Sequence, residues 1–99
     1  MAYKVIFSRQ ALKDLQKLKQ AGLGRQAKEI TEILMQNPYQ TPPRFERLIG
    51  DLRDYFSRRI NAQHRYIYRI TPNDGRLQDK DGGVYVGVVH VLRMWTHYE

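Results

Sequence analysis

Residues that can move protons or hold negative charge lie at two places in this sequence. Glu46 stands at the start of an arginine-rich segment, and His97 and Tyr98 follow the strand-like run of residues 84–95. A carboxylate can act as a general base and an imidazole as a general acid, while guanidinium groups can stabilise a negatively charged transition state. These groups can act together only if the fold brings both regions to one cleft.

Taken singly, each of these residues has an ordinary structural interpretation. A lone histidine such as His97 is usually a surface or packing residue, and Tyr98 alone is typical of packing. Glu46 among arginines is usually one half of an exposed ion pair, which contributes little to stability. Their interpretation therefore depends on the rest of the pattern.

Arginine is concentrated in one part of the chain. Eight of the eleven arginines fall between residues 44 and 76, where there is no lysine: Arg44, Arg47, Arg53, Arg58, Arg59, Arg65, Arg69 and Arg76. Lysine would be sufficient for solubility, whereas the planar guanidinium group binds two phosphate oxygens at once. The segment therefore favours phosphate binding over simple decoration of exposed strand faces.

The composition indicates one folded domain over residues 1–99, with a formal net charge of +7 that favours a polyanionic or acidic partner. The chain has no cysteine, which excludes disulfides and zinc–thiolate sites, and its histidines lack metal-ligand spacing. There is no apolar run of about 18 residues for a membrane span and no recognisable signal peptide. We therefore expect a cytoplasmic protein without metal or other cofactor.

Periodicity predicts two helices in the first half of the chain. Residues 3–7 are rich in β-branched and aromatic residues and predict a strand. Ser8 is a suitable N-cap for a helix over residues 9–21, and a second helix is predicted over residues 25–36, ending before Pro38. Apolar residues three and four positions apart predict that both helices pack on the core as an antiparallel hairpin.

The second half of the chain predicts strands. Alternation indicates two strands over residues 53–60 and 64–71, joined by a tight turn at residues 61–63. A polar loop over residues 72–83 precedes the most apolar strand, residues 84–95, which should lie inside the sheet. The expected architecture is α+β, with an N-terminal strand and a two-helix hairpin packed on one face of a twisted antiparallel sheet. The arginines should lie on the open face.

Several short motifs, in this order, resemble the YoeB/Txe branch of the RelE toxin superfamily. They read Glu46-Arg47-Leu48, Ser57-Arg58-Arg59-Ile60, His64-Arg65-Tyr66-Ile67-Tyr68 and His97-Tyr98. The first strand and the two helices are also similar to the first half of these toxins, so the resemblance extends over the whole chain. It implies a RelE-like fold and the toxin role in a type II toxin–antitoxin system.

The resemblance also implies a metal-free endoribonuclease that cleaves mRNA in the ribosomal A site. In that interpretation Glu46 is the general base for the 2′-hydroxyl group, and Arg65 stabilises the charge on the phosphorane. His97 protonates the departing 5′-oxygen, and Tyr98 positions the RNA or the acid. The arginines expected to bind the substrate are Arg59, Arg58, Arg47 and Arg53.

The implied partners are mRNA on the 70S ribosome and an acidic antitoxin of the YefM/Phd type, and a homodimer is a further expectation. Two features depart from the family pattern. Ile49 stands where these toxins often carry a lysine, and residues 52–56 replace the usual approach to the Ser-Arg-Arg-Ile strand. Arg47 or Arg53 could supply the missing cation. The loop over residues 72–83 is also longer than expected.

Two other functions are compatible with the sequence. One is a non-catalytic module on the same scaffold, similar to the ParE branch that acts on DNA gyrase. The joint presence of Glu46, Arg65 and the His97-Tyr98 pair argues against it. The other is a basic nucleic-acid-binding protein, for which neutralising any arginine should weaken binding gradually and salt should weaken it strongly, without cleavage.

Overall fold

Two helices and a five-stranded sheet make up the computed structural model, which describes residues 2–96. In chain order the elements are β1 (Tyr3–Phe7), α1 (Arg9–Gln20), α2 (Gly24–Gln36), β2 (Phe45–Arg47), a 3-10 helix (Gly50–Leu52), β3 (Phe56–Arg59), β4 (Arg65–Pro72) and β5 (Gly87–Thr96). The two helices pack on one face of the sheet. The predicted site residues His97 and Tyr98 lie outside the described residues.

The strand order in the sheet is β1-β5-β4-β3-β2. The strands from β2 to β5 form antiparallel pairs, whereas β1 runs parallel to β5. The predicted α+β class with a helical hairpin on one face is confirmed, and the sheet is mixed rather than wholly antiparallel. Periodicity identifies strands but does not tell which strands pair, so it could not reveal the parallel pair between the first and last strands.

Both helices begin and end within one residue of the predicted positions. Local chemistry explains where they end. The Ser8 hydroxyl oxygen accepts a hydrogen bond from the Ala11 amide at 2.9 Å and caps α1. Gly22 follows α1 with a φ of 77°, a conformation that suits glycine. Asn37 has an extended backbone after α2 because a proline follows it. Neither helix within residues 2–96 is long and apolar enough to cross a membrane.

The strands differ more from prediction than the helices do. The predicted strand over residues 53–60 is shortened to β3, because the 3-10 helix over residues 50–52 is followed by a turn at residues 53–54. β2 was missed because three residues are too few to show a period. The Leu48 amide donates to the Tyr55 carbonyl oxygen at 2.9 Å and connects β2 to β3 around this turn.

The core lies between the helices and the central strands and contains two buried tyrosines. The Tyr66 hydroxyl lies 2.7 Å from the Thr31 hydroxyl, and the Tyr68 hydroxyl accepts a hydrogen bond from Arg58 Nε at 2.9 Å. Burial raises the pKa of both tyrosines above the ordinary value. Both rings therefore pack as neutral side chains whose hydroxyl groups have partners.

A buried carboxylate joins α1 to β5. Asp14 Oδ2 accepts hydrogen bonds from Arg93 Nε at 2.8 Å and from the Met94 amide at 2.9 Å. Gln10 Nε2 donates to Asp14 Oδ1 at 3.1 Å. Burial alone would raise the pKa of Asp14, but the hydrogen bonds from Arg93, Met94 and Gln10 lower it below the ordinary value of 3.8.

The strand β5 is irregular where it meets this carboxylate. Its pairing with β4 shifts register on both sides of the Ile67–Arg93 pair. As a result two consecutive residues of β5 reach Asp14, one with its side chain and the next with its backbone amide. The irregularity therefore lets one carboxylate fix both the direction of β5 and its distance from α1.

Replacing Asp14 with asparagine should lower the free energy of unfolding by about 2–4 kcal/mol. Removal of one partner from a buried ion pair costs about 3–5 kcal/mol, and the loss should be on the low side because the Arg93 side chain is 30% exposed. Urea unfolding of both proteins at pH 7 measures the difference.

The effect should depend on pH in a defined direction. Because the pKa of Asp14 is lower in the folded protein than in the unfolded chain, its stabilisation is complete above about pH 3.8 and is lost as the pH falls through the folded pKa. The deficit of Asp14→Asn should therefore shrink in acid. A deficit of equal size at neutral and acid pH would contradict the role assigned to the carboxylate charge.

Candidate active site

Glu46, Arg59 and Arg65 line a common groove of about 360 Å³. The register explains why they meet, because Glu46 is paired with Ser57 and Arg59 with Arg65. Paired residues of neighbouring strands, and residues two apart in one strand, lie on the same face of a sheet. The other residues that line the groove are Pro43, Arg44 and Ser57. The fold thus joins the predicted base to two of the predicted arginines.

The carboxylate in this groove is accessible to solvent. Glu46 Oε1 lies 3.6 Å from Arg44 Nη2, and the side chains are 64% and 86% exposed, respectively. An ion pair at this exposure contributes little to stability. Glu46 is therefore not needed to hold the fold together, and it stands beside positive charge where a ligand can reach it.

Arg59 and Arg65, two of the three arginines that line the groove, differ in how firmly they are held. Arg65 Nη1 donates to the Asn61 carbonyl oxygen at 3.1 Å and, more weakly, to that of His64 at 3.5 Å. Arg59 makes no side-chain hydrogen bond or ion pair within the described part of the chain. Arg65 is thus anchored at one nitrogen by the turn between β3 and β4, which leaves its other N–H groups for an anion.

His64 packs against the end of β5. Its ring stacks on that of Trp95, with centroids 4.0 Å apart and an angle of 20° between the planes. The residue is buried, and its Nδ1 has no hydrogen-bond partner among residues 2–96. Thr96, which follows Trp95, is the register partner of Arg65. Sequence reasoning missed this stack, since nothing in either strand's periodicity connects the two rings.

Arg58 does not lie in the groove, so the prediction that it binds substrate is wrong. Its guanidinium group donates hydrogen bonds to the carbonyl oxygens of Pro38 and Gln40 at 2.9 Å and of Pro43 at 2.6 Å. It also donates to the Tyr68 hydroxyl. The side chain is buried because these groups provide it with partners in place of water.

Arg47 and Arg53 line a different groove from Glu46. Arg47 follows Glu46 in β2, and consecutive residues of a strand point to opposite faces. Both arginines line a second groove of about 450 Å³. Neither arginine lines the groove of Glu46, and their role in place of the lysine that Ile49 replaces stays a prediction. In the first groove Arg44 adds a positive charge. The sequence placed it among the arginines of the basic segment but not among the site residues, because it precedes β2 and belongs to no periodic element.

The predicted acid and its neighbour, His97 and Tyr98, lie outside the described residues, and their roles stay predictions. The described chain ends at Thr96, opposite Arg65. Within residues 2–96 no three histidine, aspartate or glutamate side chains come together as metal ligands would.

Comparison with known proteins gives one family and several similar structures. The family model of the YoeB-like toxins of bacterial type II toxin–antitoxin systems matches residues 7–81. The structure of the YoeB/ParE toxin from Agrobacterium tumefaciens has a TM-score of 0.76 and 22% identity, and the match covers 96% of this chain and 99% of that chain. Among curated proteins, none matches the sequence significantly.

Two further toxins have similar structures. YoeB from Staphylococcus aureus, in a heterotetrameric complex with YefM, has a TM-score of 0.68 and 23% identity over 99% of this chain and 100% of that chain. The same toxin has also been solved as a dimer, with a TM-score of 0.69 at the same identity and coverage. YafQ from E. coli has a TM-score of 0.70 and 17% identity, and the match covers 96% of this chain and 93% of that chain. At these identities the likeness concerns the fold.

Replacing Arg58 with lysine should lower the free energy of unfolding by about 2–4 kcal/mol, because one ammonium group cannot reach the four oxygens that the guanidinium fork holds. Arg59→Lys is the matched control. Its side chain is exposed and should change stability by less than about 0.5 kcal/mol. Urea unfolding followed by the fluorescence of Trp95 compares the two, and equal stability would contradict a structural role for Arg58.

Proposed function

This chain belongs to the YoeB-like toxins of bacterial type II toxin–antitoxin systems, and from that premise we propose that it is a metal-independent endoribonuclease that cleaves mRNA in the ribosomal A site and so inhibits translation. The observation that carries the proposal is the groove in which Glu46 lies with Arg59 and Arg65. RNA provides its own nucleophile, the 2′-hydroxyl group. A base, an acid and positive charge around the phosphate are therefore sufficient for cleavage.

In the proposed reaction Glu46 takes the proton of the 2′-hydroxyl group, whose oxygen attacks the neighbouring phosphorus atom. Arg65 stabilises the additional negative charge of the phosphorane, with Arg59 beside it. The bond from phosphorus to the 5′-oxygen then breaks as His97 protonates that oxygen, and Tyr98 positions the RNA or the acid. The products are a 2′,3′-cyclic phosphate and a 5′-hydroxyl group.

The position of His97 in the chain supports its assignment as the general acid. His97 follows Thr96 directly, and Thr96 is the register partner of Arg65. The stack of His64 on Trp95 holds the strand just before this point. An ordinary histidine titrates near pH 6.5, so it can carry a proton and release it close to neutral pH.

The proposed protein partner is an acidic antitoxin of the YefM/Phd type. The similar toxin from Staphylococcus aureus forms a heterotetramer with YefM, and the net charge of +7 favours an acidic partner. An acidic segment over the groove would pair with its arginines and exclude RNA from Glu46. Because the Staphylococcus aureus toxin is also known as a dimer, we extend the proposal to a homodimer of this chain.

Replacing Glu46 with glutamine, or His97 with glutamine, should slow mRNA cleavage on purified ribosomes by about 10²–10⁴-fold each, the typical contribution of a positioned acid or base. Glu29→Gln is the matched control for the first variant. Glu29 is similarly exposed, pairs with Arg25 on α2 and does not line the groove. Its variant should cleave at the parental rate, with the same cut sites.

The outcomes separate the competing functions. Parental cleavage rates in both Glu46→Gln and His97→Gln would exclude the acid–base mechanism. Growth arrest without RNA cleavage, accompanied by loss of DNA gyrase activity, would support a non-catalytic ParE-like module instead. RNA binding without cleavage, lost gradually as arginines are neutralised, would support a plain nucleic-acid-binding protein.

A further inference from the structure

A second basic groove contains Arg47, which follows Glu46 in β2. It has a volume of about 450 Å³, and its three arginines come from three parts of the fold. The residues that line it are Tyr39, Arg47, Arg53, Asp54, Phe56, Arg69, Ile70 and Thr71. Arg47 ends β2, Arg53 follows the 3-10 helix and Arg69 lies in β4. No step of the proposed cleavage uses this groove.

The positive charge of this groove is largely uncompensated. Arg53 and Arg69 make no side-chain hydrogen bond or ion pair with any of residues 2–96. Arg47 lies over the Phe56 ring, 5.5 Å from its centroid, a contact that needs no N–H group. Asp54 is the one carboxylate among the lining residues. Three cations that line one groove repel one another, so an anion with several charges would relieve this repulsion.

An exposed aromatic ring accompanies the arginines. The Tyr39 ring meets the Phe56 ring edge to face, with centroids 6.4 Å apart, and the residue is 52% exposed. Guanidinium groups that hold phosphate oxygens beside a ring on which a base can stack are characteristic of single-stranded nucleic-acid binding. An acidic protein segment would pair with the arginines but gives no reason for the exposed ring.

Each of the two grooves includes one residue of β2, Glu46 in the first and Arg47 in the second. β2 is an edge strand, and its consecutive residues Glu46 and Arg47 point to opposite faces. An RNA strand that runs along β2 past Glu46 and Arg47 therefore passes from one basic groove to the other. We propose that the groove of Arg47, Arg53, Arg69 and Tyr39 binds the phosphodiester backbone of RNA outside the cleavage site. The inference rests on the proposed function and extends it by a second RNA-binding site.

The test replaces Arg53 and Arg69 with glutamine, singly and together, and measures the affinity of each variant for RNA. The probe is a fluorescent single-stranded RNA oligonucleotide that carries 2′-O-methyl groups and cannot be cleaved. Each substitution should weaken binding by about five- to tenfold and should reduce the slope of log affinity against log salt by about 0.7. Arg76→Gln is the matched control. Arg76 is exposed, pairs with Asp74 and lines neither groove, so its variant should keep the parental affinity and slope.

The aromatic part of the site needs its own pair of variants. Tyr39→Phe keeps a ring for base stacking, whereas Tyr39→Leu removes the ring but remains apolar. The leucine variant should bind the same oligonucleotide at least about fivefold more weakly than the phenylalanine variant. Equal binding by the two variants would overturn the stacking role of Tyr39.

Repeating the measurement with purified ribosomes identifies the source of the RNA. Weaker binding of the double arginine variant to the oligonucleotide indicates the messenger strand, and weaker binding to ribosomes alone indicates ribosomal RNA. Parental affinity and salt slope in both assays would overturn the inference. Variants that lose affinity only for an acidic antitoxin, and not for RNA, would also overturn the inference. Because the probe cannot be cleaved, these results are independent of the outcome for Glu46→Gln.

Discussion

The geometry of the candidate active site depends on the buried guanidinium group of Arg58. Among residues 2–96 this group has no carboxylate partner. Three backbone carbonyl oxygens and the Tyr68 hydroxyl accept its hydrogen bonds. Its Cζ atom lies 4.9 Å from the centroid of the Phe45 ring. The carbonyl oxygens belong to the segment between α2 and β2, which is immediately followed by the strand that carries Glu46. A planar group with five N–H donors can fix several backbone oxygens at once, and no other side chain can do so. The exposed carboxylate is therefore positioned by a cation that never meets the solvent.

A second set of contacts positions β5, which pairs with the strand that carries Arg65. Asp14 holds two consecutive residues of β5, and His64 stacks on Trp95 directly after them. These contacts come from α1 and from the turn between β3 and β4, so the end of β5 is fixed from two directions. Catalytic groups must be held within fractions of an ångström of their working geometry, and such supporting contacts provide that precision. The proposed acid, His97, follows this supported stretch in the chain.

The sequence allowed prediction of those features that depend on local chemistry. Ser8 and the proline after Asn37 mark the helix ends, and apolar spacing distinguishes helices from strands. The meeting of Glu46, Arg59 and Arg65 was anticipated only through the order of the motifs, and the strand register explains it. The burial of Arg58 could not be anticipated, since its partners are carbonyl oxygens of an irregular segment and no residue pattern encodes them. The parallel pairing of β1 with β5 was missed for a similar reason, because strand partners are chosen by the packing of the whole chain.

The position of β5 between β1 and β4 determines when the described sheet can form during synthesis of the chain. β5 is the last described element in the chain, yet it lies inside the sheet, next to β1, the first described strand. Until residues 87–96 exist, β1 has no neighbour in the sheet, Asp14 lacks its partners on β5, and Arg65 lacks Thr96. Contacts between distant parts of a chain form late in folding. The support that β5 gives to Arg65 and Asp14 is thus in place only after residues 87–96 have been translated.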